Sequence, residues 1–85
     1  MSQEKIDLYR KSIDFMKNQL KVIYPLIKDI NFIKINLDND DIDIEHIKKF
    51  YKFETYDQVD LINKANKLSQ NIKKYEELIL KNSQP

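Results

Sequence analysis

Apolar side chains recur at alternating steps of three and four through the first thirty residues: Ile6, Tyr9, Ile13, Met16, Leu20, Ile23, Ile27 and Ile30. A strand repeats every two residues, so this spacing selects an amphipathic helix packed along one edge. The same steps return in Leu61, Ala65, Leu68, Ile72, Tyr75 and Ile79, which predicts a final helix over about 56–81. Thr55 and Gln58 have capping-box spacing just before it, and Ser2 stands where it can cap the first helix. Two long heptad-patterned helices bracketing a shorter one give an all-α fold: a three-helix bundle built on an antiparallel pair, one domain over residues 1–85.

The first helix is expected over about 3–31, kinked or broken at Pro25. Proline removes an amide donor and crowds the preceding turn. Because the apolar seam continues in register through Ile27 and Ile30, a kink is the preferred reading; a helix ending near Tyr24 is the alternative. Residues 32–47 admit two readings. Ile33, Ile35 and Leu37 alternate with Lys34 and Asn36, and Ile42 and Ile44 with Asp43 and Glu45, the pattern of a short hairpin in an α+β fold. The preferred reading is an acidic loop over about 36–43 and a helix over about 43–53 carrying Ile44, Ile47, Phe50 and Tyr51, because an isolated two-stranded hairpin is marginal in water.

Several function classes are excluded or disfavoured. Glycine is absent from all 85 residues, so neither a P-loop nor a dinucleotide fingerprint is present. Cysteine is absent too, which rules out disulfides and thiolate metal sites. The net charge of +1 does not suit a nucleic-acid binder relying on bulk charge, although Lys48, Lys49, Phe50, Tyr51, Lys52 and Phe53 interleave basic and aromatic groups. His46, the only histidine, has no sequence context marking it as a base or ligand. The cluster Asp38, Asp40, Asp41, Asp43 and Glu45 fails the calcium-loop spacing, since Asp43 stands where the turn needs glycine and Lys49 where a bidentate glutamate belongs. It reads as a solvated loop. No nucleophile and base pair is recognisable, and an enzyme is not expected. No cofactor of its own, no metal, no secretion signal and no membrane association are expected.

Leu8, Phe15 and Val22 form a second apolar line seven residues apart, well round the first helix from the main seam. Either the other helices cover this line, or it docks another protein. Arg10 follows Leu8 and Tyr9 and is the only arginine beside fourteen lysines. Its planar fork suits a carboxylate or phosphate better than an ammonium does.

The tripeptide Leu8-Tyr9-Arg10 near the start of the first helix, followed late in the chain by Leu61-Ile62-Asn63-Lys64-Ala65-Asn66-Lys67, resembles the LYR family of small mitochondrial helical proteins. The likeness is greatest to the member that stabilises the cysteine desulfurase of iron-sulfur cluster assembly. The chain departs from that pattern in having Gln19, with Leu20 next to it, where the family has a phenylalanine. It also has Phe32-Ile33-Lys34 or Phe50-Tyr51-Lys52 in place of a Phe-Arg pair. The resemblance implies a break at Pro25 and a non-enzymatic adaptor of the mitochondrial matrix that binds an acyl carrier protein and stabilises a larger complex. Leu8, Tyr9, Arg10 and Lys11 would meet the carrier, and Ile13, Met16 and Leu20 would line a channel for the acyl chain on its phosphopantetheine. The alternative is a cytoplasmic helical interaction module, such as a viral or bacterial inhibitor or an assembly subunit, docking through Leu8, Phe15 and Val22.

Overall fold

The computed structural model describes residues 3–39 and 44–83. Three α-helices follow one another: α1 (Gln3–Ile23), α2 (Ile44–Tyr51) and α3 (Gln58–Ser83), with no strand among the described residues. The fold is the three-helix bundle with a shorter middle helix, and the hairpin reading of 32–47 falls away. Asp40 to Asp43 and the Ser2 cap lie outside the described residues.

α1 and α3 are antiparallel. The Tyr9 ring lies 5.4 Å from that of Tyr75, and the Leu26 carbonyl accepts a 2.8 Å bond from Gln58 Nε2. Each pair of contacts is separated by 17 residues on both sides of the interface, so one register holds along the whole length. The two apolar seams meet along this line, burying Ile13, Met16, Leu20 and Ile23 from α1 and Leu61, Ala65, Leu68 and Ile72 from α3. Ile47 of α2 and Phe53 close the third side of the core. α1 is therefore the central element, touched by both other helices over its C-terminal half and by α3 alone near its start.

Pro25 ends the first helix and does not merely kink it. α1 stops at Ile23, and Tyr24–Leu26 make one 3-10 turn with the proline near its start. Ile27 is already extended, at φ −85° and ψ 127°. The seam expected to run on through Ile27 and Ile30 is thereby lost: Ile27 is half-buried and Ile30 is 94% exposed. Beyond the turn the chain doubles back along α1. The Tyr24 hydroxyl accepts the Ile35 amide at 3.1 Å, its ring meets Phe32 at 5.6 Å, and Asn39 reaches Asn18 at 3.1 Å.

The cap of α3 also differs from expectation. Asp57 caps α3, accepting the Asp60 amide at 2.9 Å, while the Thr55 hydroxyl turns back to the Lys52 carbonyl at 2.8 Å. Gln58, freed from a capping box, accepts the Lys28 amide at 2.8 Å and donates to Leu26 O. α2 is terminated by Lys52 in the left-handed region, φ 49° and ψ 50°, the position that glycine occupies in most such ends and that this glycine-free chain fills otherwise. Its amide donates to Lys48 O at 3.3 Å, and a 3-10 turn, Phe53–Thr55, leads into α3.

Candidate functional site

Successive residues of a helix turn by about 100°, so Leu8 and Arg10 leave α1 on nearly opposite flanks while Tyr9 points between them. The contacts agree. Tyr9 is half-buried on Tyr75 of α3; Leu8 is 61% exposed on one side of that joint, and Arg10 is exposed on the other. Leu8 borders a shallow depression with Lys11, Ser12, Phe15, Met16 and Tyr75. Arg10 borders a separate groove of about 550 Å³ with Ile13, Glu76, Ile79, Leu80 and Ser83. The Arg10 guanidinium makes no ion pair with any described residue; the only ion pair among them is Lys48 to Glu45, 3.4 Å apart on the surface of α2. Such an exposed pair contributes well under about 1 kcal/mol.

The proposed channel residues Ile13, Met16 and Leu20 are all buried in the α1–α3 joint. Leu20 is fully enclosed and is reached by an acyl chain only if α1 and α3 part, whereas Ile13 edges the Arg10 groove and Met16 the Leu8 depression.

The second apolar line is divided. Val22 is buried and belongs to the core, so it is not part of a docking stripe. Leu8 and Phe15 remain outside, Phe15 at 44% exposure, because α2 is only eight residues long and ends before covering them. In place of Val22 the structure supplies α2 itself. The Phe15 ring meets Tyr51 at 6.2 Å, Tyr51 meets Phe50 at 5.2 Å, and Phe50 stacks on His46 at 6.1 Å. Phe50 is 72% exposed. Leu8, Phe15, Tyr51 and Phe50 thus form one apolar ridge across two helices, with the His46 ring stacked at its end and Lys11 and Lys49 exposed beside it. The sequence separates Phe15 from Phe50 by 35 residues, so only the packing of Tyr51 could reveal that they adjoin.

The later motif is not brought to the tripeptide. In the α1–α3 register Asn63 stands opposite Lys21, eleven residues from Arg10 and about 16 Å away along the axis. Ala65 is buried in the core and Asn63 is exposed. Of the acidic cluster, the Asp38 amide and carboxylate both bond Asn36, at 3.0 and 3.2 Å, a local turn. No group of three or more possible ligand side chains is placed to hold a metal among the described residues. No described helix is long and apolar enough to cross a membrane.

Two buried polar residues carried no signal in the sequence. Asn18 and Gln19 lie inside α1 at positions that a polar residue ordinarily gives to solvent. Asn18 Oδ1 accepts from Asn39, whereas Gln19 Oε1 has no hydrogen-bond partner among the described residues.

Comparison of the sequence with known protein families and characterised proteins, and of the fold with solved structures, finds no match.

Proposed function

We propose that this chain is a non-enzymatic adaptor that docks another protein on the outer side of α1 and the adjoining edge of α2. The observation that carries this reading is the ridge of Leu8, Phe15 and Phe50, large apolar side chains left exposed, with half-buried Tyr51 joining Phe15 to Phe50. Monomeric proteins seldom keep such patches without a partner for them. Aromatic anchors of this kind dominate the energetics of protein interfaces.

The partner that the LYR resemblance supports is an acyl carrier protein, with a larger assembly such as the cysteine desulfurase complex stabilised in turn. Leu8 and Lys11 then take the ridge side of the carrier and Arg10 reaches its acidic surface from the other flank. The guanidinium favours this reading, since a charged fork with no ion-pair partner among the described residues suits a carboxylate or phosphate. The acyl chain, if it enters, passes between α1 and α3 to Ile13, Met16 and Leu20. A second reading, a helical interaction module with a different partner, rests on the ridge alone and needs neither Arg10 nor an acyl group.

Native mass spectrometry of the chain co-expressed with an acyl carrier protein separates the two. The adaptor reading expects a one-to-one complex carrying acylated phosphopantetheine, at least tenfold weaker in both Arg10→Ala and Phe15→Ala. If no complex forms with any acylated carrier, the carrier reading is wrong and the ridge belongs to another protein.

A further inference from the structure

The groove on the Arg10 side has opposite charges on its two walls and an apolar floor. Arg10 stands on α1 and Glu76 on α3; Ile13, Ile79 and Leu80 lie between and beside them. Leu80 is 63% exposed, a leucine on the solvent side of a helix whose neighbouring seam is already satisfied. Neither Arg10 nor Glu76 forms an ion pair with a described residue. The α1–α3 register puts Glu76 opposite Leu8, hence within two residues, about 3 Å along the axis, of the level of Arg10. This end of the molecule is only two helices thick, because α2 packs farther along α1.

We propose that the Arg10–Glu76 groove is a self-complementary interface at which two copies of this chain pair as an antiparallel four-helix bundle. A twofold axis running along the helices lays α1 of one copy over α3 of the other and preserves the axial level of every residue. Each Arg10 then faces Glu76 of the second copy, giving two reciprocal ion pairs, and Leu80 adds apolar contact about 9 Å farther along the axis, toward the start of α1. A twofold interface must use one patch on both copies, so a patch carrying both members of a charge pair at one level is what it requires. Two helices that each retain an uncovered flank reach a closed apolar centre by doubling to four. The ridge of Leu8, Phe15 and Phe50 lies on the opposite flank and stays open in this dimer, so the inference does not depend on the proposed adaptor role.

Sedimentation equilibrium of the full chain tests it. The expected mass at high micromolar concentration is twice the 10.3 kDa of one chain. Leu80→Lys is expected to return it to one chain with the helical circular dichroism unchanged. Arg10→Glu and Glu76→Arg are each expected to weaken the dimer at least tenfold, and the double variant, with the charges exchanged, to restore it. A chain that remains monomeric at every concentration overturns the proposal. So does a dimer that Leu80→Lys leaves intact, which would place the contact on another surface, or one that the charge exchange fails to restore.

Discussion

Lys52 is held at φ 49° although it carries a Cβ, and no glycine is present anywhere to relieve it. The left-handed conformation costs a side-chain-bearing residue roughly 1–2 kcal/mol, part of which glycine gives back through its freer unfolded chain. Lys52→Gly is therefore expected to raise stability by about 0.5–1 kcal/mol. Thermal unfolding checks it: the midpoint should rise by a few degrees, and a fall would mean that the Lys52 side chain stabilises the turn by a route its exposure does not suggest. Gln19 presents the opposite case. Its Oε1 is buried without a donor among the described residues, and Gln19→Met, close in volume and lacking the polar atoms, is expected to stabilise by about 1 kcal/mol in urea unfolding. Sequence periodicity could not find either residue. It assigns polar side chains outward, whereas Gln19 is only 5% exposed. The tripeptide, by contrast, was legible as a feature, but the opposition of Leu8 and Arg10 across α3 follows only once Tyr9 is seen to pack on Tyr75.

At the scale of elements, α1 and α3 were legible because their seams bury one continuous line, from Ile6 to Ile23 and from Leu61 to Ile72. The seam misled only past Pro25. Ile27 and Ile30 kept the step of three, but without an amide at Pro25 the helix had already tightened into its 3-10 turn. What replaces it is a segment secured by one side chain from the 3-10 turn and one from the first residue of α3. Tyr24 takes the Ile35 amide, and Gln58 bridges Leu26 and Lys28. Tyr24→Phe keeps the ring against Phe32 and removes the acceptor from a part-buried amide, so it is expected to cost about 1–3 kcal/mol. Amide exchange gives the local reading: Ile35 should exchange faster in Tyr24→Phe while the amides of Leu68 and Ile72 change only with global stability. Equal acceleration throughout would show that the segment opens with the bundle and not by itself.

At the scale of the whole molecule, the two uncovered flanks of the α1–α3 pair divide the work between them. Leu8, Phe15 and Phe50 are exposed, so removing them should leave stability within about 0.5 kcal/mol of the parent while abolishing partner binding. That combination distinguishes a docking ridge from core. Arg10, however, is claimed twice, by Glu76 of a second copy and by the acidic surface of a carrier, and one guanidinium fork cannot serve both. If both proposals hold, binding is competitive: the apparent affinity for the carrier must fall as the concentration of the chain itself rises, by the fraction held in dimers. Leu80→Lys, which opens the dimer without touching the ridge, should therefore bind the carrier more tightly than the parent at high chain concentration and equally well when both are dilute. Titration of labelled carrier at two chain concentrations reads this directly. A parent and a variant that bind alike at both concentrations would mean that Arg10 is committed to one surface only, and the Arg10→Lys variant then tells which. Glu76 is itself a carboxylate, so what tells the two apart is which equilibrium the exchange weakens: self-association if the fork is committed to Glu76 of the second copy, carrier binding if it is committed to the carrier.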